Sequence, residues 1–482
     1  MRSYSEHPSQ PGGTTPPPPS PGPALPKRRV AIIGSGISGL GCAHALTREH
    51  AGARVTLFEA APRLGGHTNT VDVTLDGQSF PVDTGFLVFN ERTYPQLTAL
   101  FAELGVPVSA SEMSFGLSVE IGGGGRARSL EWAGTSLATV FAQPRNALDP
   151  RFLSMLRDIV RFNAAATALA RGEAGREELS LGEFLRRERY GEPFRNWYLL
   201  PMAAAIWSCP SEAMLAYPLH TFVRFCHNHG LVQLSDRPRW LTVRGGARQY
   251  VERIARSLPE VRLSEAVRSV EPLADGRVRV ISDRGQAVFD DVVLACHSDQ
   301  AAAILGGRCA GAGALASRVG YQANRAVLHT DPRLMPKSRR VWSSWNYLSN
   351  GAAAPSVCVT YWLNRLQPLP FRSDVFVTLN PIVEPERARV IAEFDYAHPV
   401  FDAAAILAQR SLPLVQGRDS IWLAGAWSGY GFHEDGLKSG LAVARAIAAR
   451  DRRAARVAEL RPAHPRAAAP AAPAMPERLR AA

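Results

Sequence analysis

The sequence predicts an α/β protein: a Rossmann-like dinucleotide-binding domain interleaved with an α+β domain that contains a mixed sheet and a helical subdomain. Three observations predict it. The stretch RRVAIIGSGISGLGCAHAL opens a strand, glycine turn and helix; a block with helical periodicity runs from Asp149 to Val223; and buried strands return late, in VVLA and IWLAGA. With 482 residues, 46% of them apolar, the chain is long enough for two or three cores.

Residues 1–27 are dense in proline and read as a disordered arm. Residues 28–100 form the first part of the nucleotide-binding domain. Val30 to Ile33 is a β-branched strand, Ser38 to Thr47 a helix, ARVTLFEA a second strand ending in an acid, and the chain turns helical from about Thr93. Residues 101–235 belong to the second domain and carry the helical block, in which RFLSMLRDIVRFNAAATALA repeats every 3.6 residues. Residues 236–300 return to the first domain: RVRVI alternates, Asp275 and Gly276 mark a hairpin turn, and Val292 to Ala295 is a buried strand. Residues 301–412, with RAVLHTD, SVCVTYWLN and DVFVTLN, supply the sheet of the second domain. Residues 413–451 close the first domain with the strand Ser420 to Ala426, the loop GYGFHEDGLKSG and a helix, and 452–482 is a basic Ala/Pro-rich tail read as disordered.

The net charge of +12 raises nucleic acid as a partner, and its distribution argues against it. Residues 1–29 hold Arg2, Lys27, Arg28 and Arg29 against Glu6; residues 450–482 hold eight arginines against Asp451, Glu459 and Glu477. The two ends therefore carry eight of the twelve charges and the folded part is mildly basic. Attraction of these ends to an anionic membrane surface and plain solvated disorder both remain open. There is no secretory h-region and no run of apolar residues long enough to span a bilayer. The six cysteines are scattered without C-x-x-C spacing, which argues against a disulfide framework or zinc site and fits a reducing cytoplasm. His227 and His229, two apart without an acidic neighbour, make a poor metal pair, and Ser35 lacks the G-x-S-x-G spacing of a nucleophile elbow.

Gly34, Gly36 and Gly39 form G-x-G-x-x-G directly between a strand and a helix. Gly34 permits the tight turn, Gly36 lets backbone approach a pyrophosphate, Gly39 lets helix and strand close up, and the N-H groups at Ile37 and Ser38 open the positive end of the helix. Glu59, followed by Ala60, lies 20 residues beyond Gly39 at the end of the second strand, where a carboxylate binds ribose hydroxyls. The fingerprint by itself does not separate NAD from FAD.

Arg63, Gly65 and Gly66, in EAAPRLGGH, resemble the R-x-G-G element of FAD-dependent amine oxidases, phytoene desaturases and protoporphyrinogen oxidases. The resemblance implies a glutathione-reductase-like FAD-binding domain, FAD as cofactor, and cofactor contacts continuing through His67 and Thr68. It places Asp83 and Gly85, in VDTGFLVFN, near the isoalloxazine; paired glycines Gly245 and Gly246 at the returning segment; and Val267 against the adenine. The last segment of the family meets the flavin in the loop after Gly425. The family often has an acid directly after that glycine for the ribityl chain; here Ala426 follows, so the role falls to Glu434 or Asp435, whose alternative is helix capping. Gly436 and Leu437 begin a helix whose N-H groups face the flavin's pyrimidine oxygen.

WSSWNY, VTYWLNRLQ, VTLNP and GFHEDGLKSG together resemble a bacterial group of predicted NAD/FAD-binding oxidoreductases. Members of that group are frequently associated with genes that modify membrane fatty acids, which implies a lipid-like substrate. Amine oxidases of the superfamily commonly carry a lysine linked through water to the flavin; the chain has only Lys27, Lys337 and Lys438, and YQANRAVLHTD offers Asn324 and Arg325 instead. The aromatics Trp342, Trp345, Tyr347, Tyr361, Trp362, Trp197, Trp207 and Phe222 are read either as core or as the lining of an apolar tunnel. His433, which titrates near neutral pH when unperturbed, is the candidate catalytic side chain, with Asn346 and Tyr347 as candidates for orienting substrate.

The expectation is an FAD-dependent oxidoreductase that desaturates, saturates or isomerises a hydrophobic, lipid-like substrate, a modified fatty acid being the nearest class. It is expected to be cytoplasmic and peripheral to the inner membrane face, with an electron acceptor the residues do not name. A flavin amine oxidase on a small amine, and a non-catalytic FAD-binding partner of a lipid-modifying enzyme, are the alternatives.

Overall fold

Arg28–Ile33 forms a strand buried on both faces, with Val30, Ala31 and Ile32 fully inaccessible, as expected of a parallel sheet covered by helices. It pairs in parallel with Ala53–Phe58 and with Asp291–Leu294. Glu260–Arg262 and Ile421–Leu423 complete a five-stranded parallel sheet. Segments far apart in the chain thus build one sheet. The computed structural model describes residues 28–49, 53–121, 128–172, 179–208, 211–233, 237–350 and 358–459; the arm 1–27 and the tail from 460 onward lie outside the described residues.

The helix Ile37–Glu49 and the helix His433–Glu459 pack on this sheet and on each other. Gly440 makes the contact possible, because a Cβ there would come within 2.1 Å of the Ser38 carbonyl oxygen. The antiparallel strands Val267–Pro272, Val278–Ser282 and Gly285–Phe289 form a separate small sheet, turning at Asp275 and Gly276. A hairpin, Thr70–Leu75 with Gln78–Asp83, follows the first nucleotide-binding unit.

The second domain is built on a seven-stranded mixed sheet, ordered Val390–Val400, Gly320–His329, Phe376–Leu379, Cys358–Trp362, Trp345–Ser349, Phe115–Ile121 and Arg128–Ala133. The one parallel pair joins Trp345–Ser349 to Phe115–Ile121; the rest are antiparallel. The last two of these strands correct the expectation of helix after Thr93. Helix is present only over Pro95–Leu104 before FGLSVEI and RSLEWA enter the sheet, stabilised by a partner more than 200 residues away.

The helices Pro150–Arg171, Leu181–Arg187, Leu200–Trp207 and Leu219–Asn228 pack around buried Phe152, Met155, Phe162, Phe184, Phe222 and Phe225. Asp149 caps the long helix by accepting from the Arg151 N-H at 2.9 Å. No helix among the described residues is long and apolar enough to cross a membrane. The cysteines described, Cys42, Cys226, Cys296, Cys309 and Cys358, are all free.

Candidate active site

The carboxyl ends of the parallel strands converge on one cavity of about 1510 Å³, larger than the roughly 300–1,000 Å³ that one small ligand needs. Gly34, Glu59, Glu265, Ala295 and Gly425, each just beyond a strand of that sheet, line its first half. The other half extends between the mixed sheet and the helical subdomain, where Phe141, Leu156, Ile159, Tyr198, Ile206 and Trp207 line it.

The glycine turn shows what the first half can hold. Gly34, with φ +102°, lies so close to the next strand that a Cβ would stand 2.9 Å from the Ala295 carbonyl oxygen. A Cβ on Gly39 would meet the Gly34 carbonyl oxygen at 1.9 Å. Gly36 differs: nothing lies within 4 Å of its Cβ position, which opens onto the cavity. Ile37 and Ser38, the first residues of the helix, line the cavity beside it, so the positive end of the helix faces the cavity. Glu59 accepts from Ser35 N-H at 2.9 Å, Ser35 Oγ at 2.5 Å and Ala61 N-H at 2.8 Å, which fixes its carboxylate at the rim next to Ala60. Val267 lines the same end. These residues fit a dinucleotide.

Gly65, Gly66, His67 and Gly85 continue the lining toward the second domain. A Cβ on Gly66 would stand 3.2 Å from Gly36 Cα, and one on Gly85 would meet the His67 carbonyl oxygen at 2.2 Å, so this loop lies flat against the glycine turn. Arg63 does not join it. Its guanidinium donates to the Thr68 carbonyl at 3.3 Å and Arg63 itself is exposed, outside the cavity lining, which departs from the expected pyrophosphate contact. Thr68 sits behind the lining too, its hydroxyl bonded to Tyr250 at 2.5 Å and to His433 Nε2 at 3.0 Å.

Asp83 is also behind the wall. Its carboxylate accepts from the Ala247 N-H at 2.9 Å and from Thr70 Oγ1 at 2.5 Å, tying the hairpin to the paired-glycine turn at Gly245 and Gly246. Burial pushes its pKa up to about 7.

His433 lines the cavity at the N-terminus of its helix, stacked on Phe86 with ring centroids 3.9 Å apart. Burial pushes its pKa down to about 3, so the ring is neutral rather than titrating near pH 7 as its type suggests. Its two neighbours face elsewhere. Glu434, buried, accepts from the Gln96 and Leu97 N-H groups at 3.0 Å each, holding the start of the helix Pro95–Leu104. Asp435 accepts from the Phe432 N-H at 3.1 Å, and burial raises it to about 6. Neither acid lines the cavity, so the ribityl role expected of one of them gives way to capping. Gly436 and Leu437 pack against Ile37 and Gly41, joining the two helices behind the site.

Asn346 and Tyr347 are not brought to the cavity. The Asn346 side chain is fully buried and its amide is occupied by Ser343 N-H (2.9 Å), Ser343 carbonyl (2.6 Å) and Thr360 carbonyl (3.2 Å). Tyr347 packs at the partly buried edge of the core clusters. Of the aromatics singled out in the sequence, Trp207, Trp345 and Tyr361 line the cavity. Trp342 and Trp362 pack with Phe376 away from it, and Trp197 and Phe222 belong to the helical core.

Sequence reasoning missed His297 and His398 as lining residues, along with Tyr430 and Phe432. The last two directly precede the His-Glu-Asp run and could have been read from that loop. His398 lies opposite Gln322 in a strand pairing that no local pattern announces.

A dinucleotide cradle at the end of a parallel sheet, opening onto an apolar chamber of a second domain, defines a two-domain dinucleotide-binding protein. The family model for flavin containing amine oxidoreductases matches residues 37–361, and the chain belongs to that family. FAD is therefore its cofactor and the protein is an FAD-dependent oxidoreductase. The chain is 28% identical over 367 residues to a Mycobacterium tuberculosis protein provisionally named flavin-containing monoamine oxidase AofH, covering 73% of this chain and 70% of that one. It is 27% identical over 289 residues to a carotenoid phi-ring synthase of Streptomyces griseus, covering 56% and 52%. The solved structure of cyclohexylamine oxidase from Brevibacterium oxydans shares the fold with a TM-score of 0.61 at 18% identity, over 89% of this chain and 100% of that one.

Proposed function

We propose that the enzyme desaturates, saturates or isomerises a hydrophobic, lipid-like substrate, a modified fatty acid being the nearest class. The apolar half of the cavity carries this reading. Its described lining includes no lysine. The carboxylates on the lining are Glu59 and Glu265, at the adenosine end, and Glu112, which is bound to Arg365 at 3.0 Å and to Ser114 at 2.9 Å. An ammonium entering this chamber would lose its hydration without a free partner, whereas an acyl chain would bury its surface against rings.

Bound FAD supplies a two-electron acceptor or donor for a C-H bond. The protein's part is to position and to exclude water. Trp207, Trp345 and Tyr361 wall the chamber, and Thr68 and Tyr250, behind the lining, hold the cavity-lining His433 in a set of side-chain bonds of 2.5 to 3.2 Å. Leu137 and Val160 line the cavity while being 78% and 58% exposed, so it reaches the surface between apolar side chains. That mouth, with the basic ends of the chain, supports a cytoplasmic enzyme that works at the inner membrane face and draws substrate from it. The name of the carotenoid relative is in line with a hydrophobic substrate; that of the monoamine oxidase relative supports the amine reading.

Tryptophan emission separates the two. With Trp207 and Trp345 in the wall, titrating the flavin-loaded protein with a long-chain fatty acid is expected to change that emission saturably, and putrescine or benzylamine to leave it unchanged. The reverse pattern would overturn the lipid assignment.

A further inference from the structure

Three histidines from distant parts of the chain line the cavity beside the glycine turn: His67 after the paired glycines, His297 after the strand Asp291–Leu294, and His398 from Val390–Val400. Ring centroids of His67 lie 5.2 Å from His398 and 5.9 Å from His297. The loops carrying His67 and His297 touch the turn directly. Gly65 N-H donates to the Ser35 carbonyl at 3.1 Å, and Gly34 packs on Ala295 and Cys296.

The His398 ring is locked from behind. Asn324 donates Nδ2 to the Gln322 carbonyl and to His398 Nδ1, both at 3.0 Å, while its Oδ1 accepts from Asn380 Nδ2 at 2.7 Å. A carbonyl only accepts, so the amide orientation is fixed, His398 Nδ1 is an acceptor, and the proton of this ring sits on Nε2. The His297 backbone N-H donates to Gln300 Oε1 at 3.3 Å at the start of the helix Ser298–Leu305, and its ring stacks on Tyr321 at 4.5 Å. His67 is different. Its Nε2 is buried with no hydrogen-bond partner among the described residues.

The groups that face His67 are His297, His398, His433 and Arg63, with Tyr396 stacked on it at 5.2 Å. None is anionic. In the free protein burial and these neighbours hold the imidazole neutral, well below its ordinary range. A pyrophosphate at the glycine turn changes that balance by bringing two negative charges beside the loop. Of the arginines on the described lining, Arg268 is bound to Asp283 at 2.5 Å on the small antiparallel sheet and Arg237 donates to the Gln233 carbonyl at 2.9 Å.

We propose that His67 takes up a proton from solvent when FAD binds, so that its imidazolium supplies the pyrophosphate's counter-charge and cofactor binding is proton-coupled. His398 stays neutral, because protonating its accepting nitrogen would break the hydrogen bond from Asn324.

The test is calorimetry of FAD binding to the deflavinated full-length protein, in buffers of different ionisation enthalpy and from about pH 6 to about pH 8. The pyrophosphate and isoalloxazine of FAD do not titrate in that range. Wild type is expected to take up close to one proton, with affinity rising by up to about tenfold for each pH unit of acidification. His67→Gln should lose both the uptake and the pH dependence and bind more weakly. His67→Arg, permanently charged, should keep tight binding and lose the pH dependence. Absence of proton uptake by wild type, or a pH dependence that persists in His67→Arg, would overturn the proposal; the wild-type measurement stands alone if a variant fails to fold.

Discussion

Gly36→Ala separates cofactor binding from folding. A methyl at Gly36 meets no protein atom within 4 Å, and Gly36 is not among the positive-φ glycines, so the backbone tolerates alanine. The methyl projects into the cavity at the mouth of the helix, where the pyrophosphate approaches. Crowding of this kind costs about 1–3 kcal/mol, which weakens FAD by about 5- to 150-fold. At a free FAD concentration about 100 times the wild-type Kd, ligand linkage stabilises wild type by about 2.7 kcal/mol. A variant 100-fold weaker keeps only about 0.4 kcal/mol of that. Denaturant unfolding with and without FAD reads both quantities, and fluorescence titration of deflavinated protein gives Kd directly. Gly39→Ala is the contrast: its methyl would stand 1.9 Å from the Gly34 carbonyl oxygen, so the cofactor-free fold itself should weaken. Unchanged FAD affinity in Gly36→Ala, or an equal loss of cofactor-free stability in both variants, would refute the placement of the phosphates.

Glu434→Ala removes the acceptor for two N-H groups of the helix Pro95–Leu104 and should lower stability by about 1–2 kcal/mol in urea unfolding while leaving FAD affinity unchanged. Leu156→Trp fills the apolar half of the cavity; it should retain FAD and its absorption spectrum while losing the fatty-acid titration. Burial lowers His229, His329 and His398 to about 4 and His433 to about 3, so their contribution is present above about pH 6.5 and is lost as pH falls toward 4. Asp83 and Asp435, raised to about 7 and about 6, act oppositely, since the native state holds protons that the unfolded chain releases as pH rises from about 4. The histidines outnumber the carboxyls. The FAD-free protein should therefore lose stability on going from about pH 7 to about pH 5, by about 1.4 kcal/mol per pH unit for each net proton, as read by thermal melting.

The glycine turn was legible because its chemistry is local: strand, three glycines, helix and Glu59 fall within about thirty residues, and each constrains the next through backbone sterics. The buried strands near Val292 and Ile421 were legible for the same reason, as short apolar runs. The second domain was less so. Phe115–Ile121 is a strand because of a pairing with Trp345–Ser349 that the sequence does not announce, and Arg128–Ala133 pairs with it at the sheet edge. Asn346 looked like a polar handle in an aromatic strand, but alternation alone could not say that its amide is spent on Ser343 and Thr360. The acids after His433 were ambiguous between ligand and cap, and the helix Pro95–Leu104, more than 300 residues earlier, decides Glu434 as a cap. Asn324, noticed only as the place of an absent lysine, acts on the cavity through His398 across a strand pair.

The substrate class is tested most directly by anaerobic reduction of the bound flavin, followed by its visible absorption. Phospholipids or fatty acids extracted from bacterial membranes should bleach the flavin of the purified protein, or reoxidise it after chemical reduction, while a panel of primary and secondary amines leaves it unchanged. Bleaching by a small amine, with none from any lipid fraction, would contradict the lipid reading and make the protein an amine oxidase.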